Sequence, residues 1–180
     1  MAQTDIVMAG FGGQGLMAIG KILAKAAMEE GLHVTWMPSY GPEMRGGTAN
    51  CVVIIDQEPI GSPIVKRTQA AIVMNLQSID KFEATVNDQG LIIVNTSLID
   101  RKVQREDLSA IYVAATELAE KEGTAKAANL VMLGAYVGAT KVVKPESIEK
   151  AIQKTFEGKS PKVSEINIRA FRKGLEAAPA

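Results

Sequence analysis

Six short strand-like runs, at residues 5–9, 33–37, 49–55, 70–74, 91–94 and 111–114, punctuate the chain. Most are near-continuous Val, Ile, Ala and Met, as in strands covered on both faces. Between and after them the apolar residues recur at helical spacing. Leu16, Ile19, Leu23 and Ala26 form one stripe over 14–30, with Lys21, Lys25, Glu29 and Glu30 on the other side and Gly31 as a stop. Ile79, Phe82 and Val86 mark a short helix over 77–86. Thr116 is placed to cap another that runs to Glu122. Residues 125–140 are apolar nearly all round, too short to span a bilayer and therefore buried by protein. Pro145 opens a helix carrying Ile148, Ile152 and Phe156, and a last helix over 163–177 carries Ile166, Ala170 and Phe171. Strands alternating with helices predict an α/β fold: a mostly parallel sheet flanked by helices, with further helices at the C-terminus.

Several local choices stay open. The strand at 49–55 is either a hairpin return or a crossover. Asp88-Gln89-Gly90 reads as a turn into the strand at 91–94. Gly134 and Gly138, four apart on one helical face, admit a close backbone neighbour, with the chain's own sheet favoured over a partner subunit. Asn75 and the Asn95-Thr96-Ser97 cluster end strands, where ligands gather in open α/β folds, although capping by Ser or Thr accounts for the latter. Arg169, Arg172 and Lys173 read as a solvated face.

The chemistry concentrates near the start. Gly10-Phe-Gly12-Gly13-Gln14-Gly15 follows an apolar run and precedes a helical pattern, the order of a strand–turn–helix unit that binds dinucleotides. Gly10 would allow the turn, Gly12 a close ligand approach, and Gly15 a close fit of helix on sheet. The amides from Gly12 to Leu16 would crown a helix N-terminus, where an anion can be held. A nicotinamide site also needs an acid at the end of the next strand, and that strand ends in Pro38-Ser39-Tyr40; Glu29 and Glu30 belong to the helix end. Ordinary NAD or FAD binding is therefore disfavoured, leaving packing alone or an anion or partner site. The next loop, Ser39-Tyr40-Gly41-Pro42-Glu43-Met44-Arg45-Gly46-Gly47, is too rich in glycine and proline for regular structure, and its shape suggests function. Arg45 offers a planar fork for carboxylate or phosphate, or pairs with Glu43.

Composition excludes more than it proves. The chain has 180 residues, with 20 basic and 20 acidic side chains, so no global field draws it to nucleic acid or an anionic membrane. No signal-like segment opens it, and the expectation is a cytoplasmic protein. Cys51 and His33 are the only residues of their kinds. One chain cannot supply a cluster or zinc site from them, nor a Ser/His/Asp set. Cys51 reads as an inert core thiol and His33 as a surface residue.

Gly10–Gly15 followed by Ser39–Cys51 resembles the gamma subunit of the 2-oxoacid:ferredoxin oxidoreductases, in wording closer to the 2-oxoglutarate and 2-ketoisovalerate types than to the pyruvate type. The resemblance implies one Rossmann-like gamma-type domain over residues 1–180. It implies alpha, beta and delta partner subunits that carry thiamine diphosphate, magnesium and iron–sulfur clusters, with CoA and ferredoxin as reactants. Gly10, Gly12, Gly13, Gln14, Gly15, Ser39, Tyr40, Gly41, Pro42, Glu43, Arg45 and Gly46 are then the expected cofactor-facing residues, with no catalytic residue or metal ligand of the chain's own. A stand-alone nucleotide-binding protein and a purely structural subunit are the alternatives, and a homodimer is open for the isolated chain.

Overall fold

The computed structural model describes residues 3–40 and 47–179, Tyr40 by its backbone alone; Gly41, Pro42, Glu43, Met44, Arg45 and Gly46 lie outside the described residues. Six strands form one sheet: β1 (Thr4–Phe11), β2 (His33–Tyr40), β3 (Thr48–Asp56), β4 (Thr68–Val73), β5 (Val86–Asn95) and β6 (Ser109–Val113). Their spatial order is β2-β3-β1-β4-β5-β6. The pairs β1–β4, β4–β5 and β5–β6 are parallel, whereas β3 runs antiparallel to both β1 and β2. Among the described residues the α-helices are α1 (Leu16–Glu29), α2 (Leu76–Phe82), α3 (Ala115–Glu122), α4 (Ala128–Thr140), α5 (Pro145–Thr155) and α6 (Pro161–Ala177).

The open choice after residue 48 resolves as a hairpin return. β3 comes back between β1 and β2, so the strand after α1 is not the neighbour of β1. This removes the geometry of an ordinary dinucleotide site, in which the acid would stand on the adjoining strand. β2 also runs past residue 37, through Pro38 to Tyr40. It can do so because it is an edge strand, where a missing N–H costs no ladder bond on the open side.

The two faces are covered unequally. One lies under α1, α3, α4, α5 and α6, with Ile19, Leu23, Leu133, Tyr136 and Phe171 wholly buried. Among the described residues the other has only the short α2 and the segment around Ile99 and Leu108, packed on Val7, Val73, Ile92 and Val94.

Four expectations need correction. Asp88–Gly90 is not a turn before the strand but a bulge inside it: β5 spans Val86–Asn95, Thr68 pairs with Val86 and Ala70 with Leu91, and Gln89 takes a positive φ of 61°. The helix predicted over 77–86 ends at Phe82, and Val86 already pairs with Thr68. Thr116 does not cap α3. Ser97 Oγ does, accepting from the amides of Thr116 and Glu117 at 3.2 and 3.4 Å, a partner 19 residues away that local spacing cannot reveal. Finally, the close neighbour of Gly134 is α6, not the sheet. A Cβ on Gly134 would strike Phe171 O and stand 2.9 Å from Gly174 Cα. Arg169 and Arg172 are ion-paired with Glu122 and Glu149 at 2.9 and 2.7 Å, so that face of α6 ties it to α3 and α5.

Candidate functional site

The carboxyl ends of β2, β1, β4 and β5 and the amino end of β3 share one edge of the sheet. There β1 leads to α1 on one face and β4 to α2 on the other, a topological switch point of the kind at which open α/β sheets bind ligands. The register places Gly10 beside Ala49 and Ala49 beside Tyr40, with Ser39 opposite Asn50. At strand spacings of about 4.8 Å the glycine turn and the two ends of the second loop stand in one row. A hydrogen bond closes the row: Gly12 N–H donates to Gly47 O at 2.9 Å.

Each glycine of the turn has its own role. Gly13 and Gly15 take positive φ, 102° and 74°, which an L side chain adopts only under strain. Gly10 does not bend the turn in that way; it leaves room for Gln14, whose Oε1 would collide with a Cβ there. Gln14 Oε1 accepts from Phe11 N–H at 2.7 Å, and its Nε2 faces Met74 O at 3.5 Å, so one carboxamide ties β1 to β4 across the switch point. Gly15 is pressed not against the sheet but against Asn129 of α4, which donates from Nδ2 to Gly15 O at 3.0 Å. The close fit of α1 on the sheet is made instead by Gly20, where a Cβ would lie 2.6 Å from Cys51 Sγ and 2.8 Å from Trp36 Nε1.

Gly15 stands at the N-cap of α1, which has no side-chain cap and no acid in its first turn. The amides of Gly12 and Gln14 are engaged, the latter with Phe11 O at 3.1 Å. Those of Gly13 and Gly15 have no acceptor among the described residues. Beside them opens a cleft of about 220 Å³, lined by Gly13, Gln14, Leu98, Thr116, Lys126 and Asn129. Lys126 puts a cation on its rim, and no carboxylate among the described residues lines it. A second hollow, about 140 Å³, lies between Met37–Ser39, Asn50, Val52 and Pro63–Val65, which brings the Ser62–Val65 segment to the same mouth. A larger, mostly apolar cavity of about 550 Å³ sits at the opposite edge, near Leu32, Val137 and Pro145, away from the glycine turn.

The chain has known relatives. Residues 5–177 match the family model described as pyruvate ferredoxin/flavodoxin oxidoreductase. The chain belongs to this family. It is 41% identical over 178 residues to ketoisovalerate oxidoreductase subunit VorA of Methanothermobacter marburgensis, a match that covers 98% of this chain but 37% of that one. It is 35% identical to 2-oxoglutarate synthase subunit KorC of Methanocaldococcus jannaschii, over 97% of this chain and 93% of KorC. The crystal structure of a keto/oxoacid ferredoxin oxidoreductase gamma subunit from Geobacter sulfurreducens superposes with a TM-score of 0.82 at 31% identity, over 97% of this chain and 98% of that one. The chain thus spans little more than a third of VorA and nearly all of KorC.

Within this family member, the structure brings Gly10, Gly12, Gly13, Gln14 and Gly15 together with Ser39, exposed on β2, and the backbone of Tyr40. Gly41, Pro42, Glu43, Arg45 and Gly46 lie outside the described residues. Sequence reasoning missed Thr116, Lys126 and Asn129. A signal existed for Asn129, a polar residue in an otherwise apolar helix. None existed for the other two: Thr116 stands in the first turn of α3 and Lys126 in the connection from α3 to α4. Cys51 is buried, its Sγ donating to Leu16 O at 3.4 Å; burial pushes the thiol up to about 12, so it stays protonated and unreactive. His33 is exposed at the start of β2. Glu29 is paired with Lys154, and Glu30 accepts from Lys144 N–H at 2.7 Å, so both acids are engaged at the far end of α1. No helix among the described residues is long and apolar enough to cross a membrane.

Proposed function

We propose that the chain is the gamma subunit of a multisubunit 2-oxoacid:ferredoxin oxidoreductase, which oxidatively decarboxylates a 2-oxoacid to an acyl-CoA and CO2 while reducing ferredoxin. Its alpha, beta and delta partners would carry thiamine diphosphate, magnesium and the iron–sulfur clusters. This chain would complete the thiamine diphosphate site and position CoA. The carrying observation is the bond from Gly12 N–H to Gly47 O at 2.9 Å, which holds the second loop's end against the helix N-terminus. Arg45 is two residues from that junction in the chain.

The residues suit a phosphate-bearing reactant. Two unengaged amides and Lys126 supply donors and positive charge, the two left-handed glycines allow close backbone approach, and the adjoining loop carries Arg45 in its sequence. 2-Oxoglutarate is the favoured substrate, supported by the end-to-end likeness to KorC. The 41% identity to VorA favours 2-ketoisovalerate as the second reading.

In the assembled enzyme, Arg45→Ala should raise KM for CoA about tenfold or more, the loss of one charge-assisted hydrogen bond, at near-constant KM for the 2-oxoacid. An unchanged KM for CoA with assembly intact would refute the CoA role. Steady-state kinetics with 2-oxoglutarate and 2-ketoisovalerate in parallel decide the substrate.

A further inference from the structure

We propose that the cavity of about 550 Å³ at the edge opposite the glycine turn is a binding site for an aliphatic monocarboxylate, a ligand with one anionic head and a hydrocarbon chain. Its residues play no part in the subunit reading above, so the site stands whether or not that reading does.

Apolar walls are the first observation. β2 begins and β3 ends at this edge, with His33 opposite Asp56. Leu32 and Gln57, just outside those strands, share the cavity with Val137 and Gly138 from the last turn of α4. All five residues from Lys141 to Pro145 line it as well. Leu32, Val137, Val142, Val143 and Pro145 make the walls apolar, and the three valines are buried. A hollow of this volume, mostly apolar with a few polar groups, is the form of a small-molecule site.

The wall formed by residues 141–145 is also held in place from both ends. Lys141 takes a left-handed φ of 52° at the C-cap of α4, and its N–H donates to Val137 O at 2.8 Å. Three residues on, Lys144 N–H donates to Glu30 Oε1 at 2.7 Å, which ties the segment to the end of α1. A wall fixed in advance spares a ligand the cost of ordering it.

Charge selects the head group. Lys141, Lys144 and Glu30 all line the cavity, and the carboxylate is already engaged by the Lys144 amide. Among the described residues the lysines held in ion pairs are Lys154 and Lys173. Lys141 and Lys144, both exposed, therefore bring two uncommitted ammonium groups to an otherwise apolar hollow. Glycine is the usual residue at a left-handed C-cap, and lysine in its place adds a cation at the mouth. Two ammonium groups beside one engaged acid favour an anion, and the valine walls favour a hydrocarbon chain over a second charged group.

Isothermal titration calorimetry of the purified full chain with octanoate, octan-1-ol and acetate tests head and chain separately. Octanoate should bind once per chain, and the alcohol and acetate each about tenfold or more weakly, the loss of a charge-assisted contact or of the buried chain. Lys141→Gln/Lys144→Gln should weaken octanoate by about the same factor and leave octan-1-ol unchanged. Lys66→Gln/Lys102→Gln removes the same charge from exposed positions that do not line the cavity, and should bind octanoate as wild type does. No binding of octanoate, equal affinity for the alcohol or for acetate, octanoate affinity unchanged in Lys141→Gln/Lys144→Gln, or an equal loss in the control would each overturn the site. The comparison of the three ligands on wild type decides the matter even where a variant fails to fold.

Discussion

Gly174→Ala is expected to lower the thermal midpoint by roughly 10 °C, or to leave no folded protein. A Cβ at this position would be driven into Val131 O and would lie 2.8 Å from Gly134 Cα, while a Cβ on Gly134 would be driven into Phe171 O. Both obstacles are backbone, so no side-chain rotation relieves them and α4 and α6 must separate. Overpacking of this kind costs about 3 kcal/mol. A domain of this size loses about 2–4 °C per kcal/mol, which sets the expected shift. The intrinsic helix propensity works the other way, since Ala is better than Gly by about 1 kcal/mol inside a helix. A fall in midpoint therefore reports packing alone. Gly138→Ala is the milder comparison: its nearest obstacle, Ala178 Cβ at 2.7 Å, lies beyond the end of α6. Thermal denaturation followed by circular dichroism distinguishes them, and a Gly174→Ala midpoint at or above wild type would contradict the observed crossing.

Gly15→Ala should be nearly as damaging to the fold and more damaging to ligand binding. The φ of 74° costs an alanine about 1–2 kcal/mol, and its Cβ would also fall on Asn129 Nδ2. Asn129 must then withdraw, losing its 3.0 Å bond to Gly15 O. The two contributions can be separated. Asn129→Ala removes the obstacle and the bond together, so Gly15→Ala added to it should cost only the backbone strain. The double variant is expected to be about 1 kcal/mol more stable than the sum of the single losses predicts, a non-additivity that denaturant titration resolves. Strict additivity would mean that the two residues do not meet.

The sequence disclosed the fold more readily than its junctions. Buried strands such as Ile6–Ala9 and Ile92–Val94 are continuous apolar runs, and α5 keeps Ile148 and Ile152 on one face, so periodicity alone located them. What periodicity could not give was pairing. That β3 returns between β1 and β2, or that Ser97 caps a helix 19 residues onward, depends on contacts distant in the chain. The site was legible in the same proportion. The glycine turn stood out because only glycine serves at Gly13 and Gly15, while Gly20 and Gly174 show their roles only once a second element is laid against them. Thr116 and Lys126 carry no local mark of their position beside the turn. Pro38 misled in the other direction, ending the expected strand three residues too early because an edge strand tolerates it.

The central claim is that this chain supplies a binding edge while the reactive groups belong to its partners. The most direct test is turnover by the purified chain alone and by the chain reconstituted with its partner subunits, using 2-oxoglutarate, CoA and a low-potential dye under anoxic conditions. The expected result is no dye reduction above background by the chain alone, and CoA-dependent reduction once the partners are restored. Dye reduction by the isolated chain, or full activity of the partner subunits without it, would contradict the claim.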